Sequence, residues 1–319
     1  MGSMAKEKVK KKRGQKITPA ILWKQRWLLV MSVPFVIWLI IFKYIPLWGW
    51  TMAFQEVKPA TFALPIWERT WVGFKNFTDA FKDRLFTQTL INTLGVSFLD
   101  IAVGTIAAIA FAVLLNEMFF MKFKKVTQTI SYLPHFLSWI IVTGILHDAL
   151  SGTGIINELL VNFGILDQPL NFFAYPKYFW PIVAFANVWK ETGWNAIIYL
   201  SAITAIDPSL YEAANMDGAG RWARIKYVTL PGIKPTIMIL LLMNVGNVLN
   251  AGFEIQYLLG NGLVQSVSQT IDIYVLKWGI SQNDFSIGTA AGIFKSLVSI
   301  ILIVIANQIA KRNGEERLF

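Results

Sequence analysis

Residues 287–310 read IGTAAGIFKSLVSIILIVIANQIA. This run carries one charge, Lys295, and exceeds the roughly 20 residues a helix needs to cross the hydrocarbon core of a bilayer. Lipid offers no hydrogen bonds, so a crossing segment must satisfy its own backbone, and a helix does so within one segment. Working outward, five more runs are expected, over 28–47, 92–115, 127–149, 178–201 and 236–252. The last of these is short, but Ile237–Met243 is unbroken apolar sequence. Pro34, Pro134 and Pro181 fall inside or beside spans, which membrane helices tolerate. The fold class expected is all-α, a polytopic membrane protein with six transmembrane helices.

Composition agrees. The 319 residues are 55% hydrophobic and 15% charged, with a mean hydropathy of +0.51. A soluble domain carries about 25% charged residues, so a soluble enzyme and a disordered chain are both excluded. The net charge of +10 would suit nucleic acid. However, residues 1–26 hold nine Lys/Arg against Glu7 alone, so eight of the ten charges sit in one tail. Nucleic acid is therefore not an expected partner. There are no cysteines, which removes disulfides, thiol catalysis and cysteine-held metals.

With six spans both termini share one side. That side collects nineteen Lys/Arg against eight on the other, most of the excess coming from the tail. The positive-inside rule then places both termini in the cytoplasm. Three regions are expected: a basic cytoplasmic tail (1–26), a membrane body (27–312) and a short cytoplasmic tail (313–319). The first apolar run lacks a small-residue cleavage site and reads as an uncleaved anchor. Met1-Gly2-Ser3 ahead of Met4 reads as an expression remnant.

Two long outer segments follow. Residues 48–91 are rich in aromatics (Trp50, Phe54, Trp67, Trp71, Phe74, Phe77, Phe81), which suits an interfacial belt or a docking surface for an outer partner. In 253–286, Ile271, Ile273, Val275, Leu276 and Trp278 suggest a short amphipathic helix re-entering or lying on the membrane face.

The inner segment 202–235 reads AITAIDPSLYEAANMDGAGRWARIKYVTLPGIKP. Asp207-Pro208 is a helix start, Ser209–Met216 a short helix, and Asp217-Gly218 its stop. Arg221–Val228 is expected as a second short helix, with Pro231 and Pro235 stiffening the approach to the fifth span. A helix–glycine turn–helix on the inner face is shaped to be pushed as a rigid body.

Glu212-Ala213-Ala214, Gly218, Val228 and Leu230-Pro231 resemble the EAA motif in permease subunits of binding-protein-dependent type I ABC importers. The motif's usual Ile is Val228 here. Phe42-Lys43-Tyr44-Ile45-Pro46, Trp71–Phe77, Tyr132-Leu133-Pro134-His135-Phe136 and Gly193-Trp194-Asn195 are similar to the carbohydrate branch, especially its polysaccharide and complex-oligosaccharide permeases. The resemblance spans about residues 25–312. It implies a coupling loop (202–235) seated in a cleft on a cytoplasmic ATPase, with Tyr211, Glu212, Ala213, Ala214, Asp217, Gly218, Ala219, Leu230 and Pro231 at the contact. It also implies two ABC ATPase subunits carrying ATP and magnesium, a second and related permease chain, and an extracytoplasmic sugar-binding lipoprotein, at a bacterial plasma membrane. No G-x-x-x-x-G-K-[ST] occurs in this chain, so it cannot cradle ATP phosphates itself. No cofactor and no covalent step are expected on it.

Transporter sites tend to lie near the bilayer midplane, and intramembrane polar residues are candidates by default. Asn187 and Glu191 lie about 14–20 Å into the fourth span at 1.5 Å per residue, and Asn247 and Asn250 about 17–21 Å into the fifth. Asn187, Glu191 and Trp194 share one face by i, i+4, i+7 spacing, as Asn247, Asn250 and Glu254 are expected to. Amides and carboxylates suit sugar hydroxyls, and Trp194 suits the apolar face of a pyranose. Related permeases line their cavity from the helices flanking the EAA loop. The bland alternative is interhelical glue.

Lys190 belongs to the same path. Its neighbour Glu191 points about 100° away, so the two are expected not to pair, and Asp100 is the candidate partner. His135 and His147 carry no metal-ligand spacing and read as structural; no metal is expected. Gly288, Gly292 and Ser296 form a small-residue stripe suited to close packing. The rival readings are a permease for another solute, an ATP-independent transporter and an intramembrane enzyme. The last lacks any convergent catalytic set, and the transporter alternative lacks an internal repeat.

Overall fold

The structure is a computed structural model that describes residues 23–318. Most of the basic tail lies outside the described residues. Packing divides the chain into two units, one ending at Thr51 and the other beginning at Met52.

The first unit is most of one long helical run, α1 (Arg26–Phe54). It loosens to π-helix at Ile40–Tyr44 and tightens to 3-10 from Ile45 onward, next to Pro46. Side chains 23–48 are exposed throughout, as expected of apolar residues whose solvent is lipid rather than protein.

The second unit contains α2 (Lys75–Lys82), α3 (Arg84–Asn116), α4 (Met121–Tyr132), α5 (Trp139–Leu150), α6 (Ile155–Asn162) and α7 (Pro176–Thr204). It continues with α8 (Pro208–Met216), α9 (Arg221–Gly246), α10 (Phe253–Leu259), α11 (Ile271–Leu276) and α12 (Phe285–Arg312). Among the described residues five stretches are long and apolar enough to cross a membrane: α1, α3, Trp139–Asn162, α9 and α12. The expected fourth span is present as α7, 29 residues long. It misses that apolarity standard because Asn187, Lys190, Glu191 and Asn195 interrupt it.

α3 and α7 form the central pair. The half toward the end of α7 meets through Ala108, Ala112 and Val113 against Ala196, Tyr199 and Ile203, with Ile233 of α9 closing the cluster. The half toward the start of α7 packs Val96 with Phe179, Val183 and Ala186, covered by Ile255 and Leu259 of α10. Small residues allow this approach: a Cβ on Gly95 would lie 2.5 Å from the Trp180 ring.

The outer segments are knitted to the start of α12. Ser286 Oγ donates to the Gln55 carbonyl at 2.7 Å and accepts from Val57 N–H at 2.8 Å. Asn76 donates to the Ala53 and Gln55 carbonyls, both at 2.9 Å. Lys295 of α12 pairs with Asp272 of α11. The expected amphipathic helix at 271–276 exists, but Ile271 and Tyr274 are fully buried against α3 and α12. It is a packed element, not a membrane-surface one, because Asp272 and Tyr274 have polar partners inside the fold. Of the small-residue stripe, Gly288 makes a close approach, since a Cβ there would lie 2.9 Å from Gly279 Cα, whereas Gly292 has open space.

The third span departs from expectation. In place of one continuous helix over 127–149, α4 ends at Tyr132, a 3-10 turn covers Leu133–Phe136, Leu137 is extended and α5 starts afresh. Pro134 has no N–H to continue the ladder. Ser138 Oγ accepts from Ile141 N–H at 3.4 Å and caps the new helix. The joint lies against α7 at Gly193, where a Cβ would sit 2.0 Å from the Ser131 carbonyl oxygen.

That contact is backbone against backbone and cannot be relieved by a rotamer. Gly193→Ala is expected to cost about 1–3 kcal/mol through overpacking, lowering the yield of folded protein and its thermal midpoint. Gly144→Ala, where nothing lies within 4 Å, should leave both unchanged.

Candidate translocation site and coupling loop

α3 and α7 cannot pack tightly where they are polar, and there a cavity of about 180 Å³ opens. Asp100, Gly104 and Thr105 line it from α3; Asn187, Glu191, Thr192, Asn195 and Tyr199 from α7; Leu240 and Asn244 from α9. Asp100 and Glu191 lie near the middle of their helices. Asn187 and Asp100 face the same cavity from the two helices.

Behind this wall sits a second polar group. His135 Nδ1 lies 2.7 Å from Glu191 Oε2. Its ring stacks on Trp194, with centroids 4.4 Å apart and planes 2° from parallel. Lys190 is only 5% exposed. Its ammonium donates to the His135 carbonyl, lies 3.2 Å from Glu191 Oε1 and stands 5.4 Å above the Trp139 ring. A Lys at helix centre costs about 2.5–3.5 kcal/mol on insertion scales, and these contacts offset that cost.

Of the path residues read from sequence, the structure brings Asn187 and Glu191 to the cavity and Lys190 to its back. Trp194 does not line it; one ring face is occupied by His135. Asn247, Asn250 and Glu254 do not share a helical face. α9 ends at Gly246, Asn247 and Asn250 fall in the turn that follows, and Glu254 opens α10 after Gly252 at φ +67°. Asn247 donates to the Met243 carbonyl at 3.1 Å and Asn250 to Asn247 Oδ1 at 3.2 Å. These amides cap a helix end that no apolar periodicity marks. Two expectations about Lys190 also fail. It pairs with Glu191, since its long stem bends back across the angular separation, and it does not pair with Asp100. His135 is more than a packing residue, since it holds Glu191. The missed residues had a signal: Asn195 extends Asn187 and Glu191 by a further i+4.

The inner loop is built as expected up to its turn. Asp207 Oδ1 accepts from Ser209 N–H at 2.9 Å, a bond that holds the Asp207 carboxyl below the usual carboxylate range. α8 stops where Ala219 N–H reaches the Ala214 carbonyl at 2.9 Å, with Gly218 left-handed at φ +76°. Glu212, Ala213, Asp217 and Gly218 are exposed, while Tyr211, Ala214 and Ala219 are half-buried. Leu230 and Pro231 are exposed farther along.

The second short helix is not separate. Arg221–Arg224 passes through a π-turn at Ile225–Thr229 directly into the rest of α9. Pro231 sits in the first turn of the following segment, where its missing N–H is tolerated once the π-turn has shifted the ladder. Two bonds tie α8 to α9: Tyr211 Oη to Thr229 Oγ1 at 3.0 Å, and Arg224 Nη1 to Asn215 Oδ1 at 2.9 Å.

A polytopic helical chain with a polar mid-membrane cavity and an exposed helix on a rigid turn is a membrane transport subunit. Residues 100–314 match the family described as "Binding-protein-dependent transport system inner membrane component", and the chain belongs to that family. It is a multi-pass plasma-membrane transporter subunit rather than an enzyme.

It is 43% identical over 299 residues to "Polygalacturonan/rhamnogalacturonan transport system permease protein YteP" of Bacillus subtilis (strain 168), covering 93% of this chain and 92% of that one. It is 41% identical over 301 residues to "Protein LplB" of the same organism, covering 94% and 93%. Among solved structures it resembles a chain of a bacterial ABC transporter involved in import of the acidic polysaccharide alginate, with TM-score 0.84, 36% identity and coverage of 92% and 98%. A chain of the alginate transporter in complex with an alginate pentasaccharide-bound periplasmic protein gives TM-score 0.85 at 35% identity, covering 94% and 99%.

Removing the Lys190 charge while keeping its bulk leaves Glu191 with one partner fewer. Lys190→Met should lower the thermal midpoint of the detergent-purified complex by several degrees, the scale of losing one member of a largely buried pair. Lys190→Arg should recover part of it.

Proposed function

We propose that this chain imports an oligosaccharide as one of two membrane subunits of an ABC importer. The sugar is delivered to the outer aromatic surface by an extracytoplasmic binding protein, and both termini face the cytoplasm. The second permease is a related chain, and two ATPase subunits supply the energy through α8.

One observation carries the coupling part of this reading. α9 runs without a break from the turn after α8 to Leu240 and Asn244 on the cavity wall. α8 is bonded to the base of α9 through Tyr211 and Arg224. Movement of α8 by a closing ATPase dimer is therefore delivered to the cavity along one continuous helix about 35 Å long at helical rise. Ala213, Ala214 and Gly218 let an ATPase surface approach closely, and Glu212 offers it a charge. The substrate class rests on the relatives named for polysaccharide transport and on a cavity of amides, hydroxyls and carboxylates.

Glu212→Lys and Gly218→Asp should abolish ATPase stimulation by the loaded binding protein in the reconstituted complex, with assembly retained for Glu212→Lys. Gly218→Asp adds the cost of a side chain at positive φ, about 1 kcal/mol. Full stimulation in both variants would refute α8 as the coupling element, and uptake by this chain without any ATPase would refute the importer assignment.

A further inference from the structure

We infer that the cavity between α3 and α7 takes uncharged sugar residues and disfavours carboxylate-bearing ones, with Asp100 as the residue that sets this preference. The inference rests on the oligosaccharide-import reading and names its substrate class.

The charges of the wall decide it. Two carboxylates, Asp100 and Glu191, line the cavity, and no Lys, Arg or His among the described residues does. Glu191 is compensated from behind by the Lys190 ammonium, with His135 Nδ1 2.7 Å from its other oxygen. Asp100 has no ion-pair partner among the described residues. The uncompensated charge facing the cavity is therefore negative.

A uronate carboxylate entering here would meet a like charge across a partly dry space, where Coulomb repulsion is several times its value in water. On the wall that the described residues of this chain form, it would also find none of the Arg or Lys donors by which proteins hold carboxylates. Hydroxyls fare better. Asn amides both donate and accept, and carboxylates accept strongly from sugar O–H groups. Thr192 Oγ1, on the same wall, is buried without a hydrogen-bond partner. The relatives named for polygalacturonan and alginate handle acidic chains, so this preference does not follow from their names.

The chain's lack of cysteine makes the test direct. Asn195→Cys places the chain's only thiol on the cavity wall. The complete transporter in nanodiscs is treated with a cationic (trimethylammonium) or an anionic (sulfonate) methanethiosulfonate reagent, and labelling of this chain is followed by mass. The cation-to-anion rate ratio should exceed that of 2-mercaptoethanol in free solution by about tenfold or more, the factor that a single uncompensated charge at close range supplies at reduced dielectric. Adding Asp100→Asn should bring the ratio close to the free-solution value; if that variant fails to assemble, the ratio for Asn195→Cys alone decides.

Equal ratios in the cavity and in solution, or a ratio indifferent to Asp100→Asn, overturn the inference and leave the import reading standing. Absence of labelling by either reagent overturns both, since a cavity closed to water is no sugar path. In uptake, galacturonan oligosaccharides as methyl esters should outpace the free acids once each is corrected for affinity to the binding protein. The reverse order overturns the substrate class.

Discussion

Everything in the second unit depends on how closely α3 and α7 approach each other inside the bilayer. In lipid there is no hydrophobic gain in bringing two apolar helices together, so contact must come from small residues and satisfied polar groups. Ala108, Ala112 and Ala196 provide this toward the end of α7, and Gly95 admits the Trp180 ring toward its start. Between these two zones the facing residues are Asp100, Asn187, Glu191 and Asn195, which pack poorly and hydrate well. The cavity is the gap that two good contacts leave around a polar middle.

That gap has to be held open without leaving charges stranded. The cluster of His135, Lys190 and Glu191 serves this end. Pro134 stops α4 at mid-depth, which frees the His135 carbonyl for the Lys190 ammonium. The break in the third span and the buried Lys in the fourth thus explain each other: one supplies an acceptor, the other the donor. Gly193, close to Lys190 along α7, lets the broken segment come within reach.

The loop between α7 and α9 is as firmly built. A flexible loop would absorb a push, whereas here the turn at Gly218 leads into a helix that continues to the cavity. The π-turn at Ile225–Thr229 keeps that helix continuous despite Pro231, and Thr229 within it bonds Tyr211 of α8. The cavity wall and the helix bonded to α8 are therefore two ends of one element.

Much of this was legible in sequence, and each success has a local cause. Apolar run length located most of the spans because the hydrocarbon thickness is fixed, but it misplaced the third, which Pro134 breaks so that the long apolar stretch is Trp139–Asn162. Asp207-Pro208 and Asp217-Gly218 marked the ends of α8 because capping and left-handed turns are properties of single residues. The midpoint position of Glu191 and Asn187 followed from counting along a helix. What counting could not reach was where α9 stops, since Gly246 and the amides after it sit in sequence nearly as apolar as the helix itself. Nor could it show that Lys190 turns toward Glu191 rather than Asp100, because a long flexible side chain chooses its partner by distance in space. The sequence by itself determined a polytopic helical membrane protein with an exposed short helix between two spans, because hydrophobicity and caps act within a few residues, while the resemblance of its motifs supplied the transporter class. Only the tertiary structure decided which polar residues share the cavity and which of its carboxylates is left uncompensated, because those depend on three helices meeting at one depth.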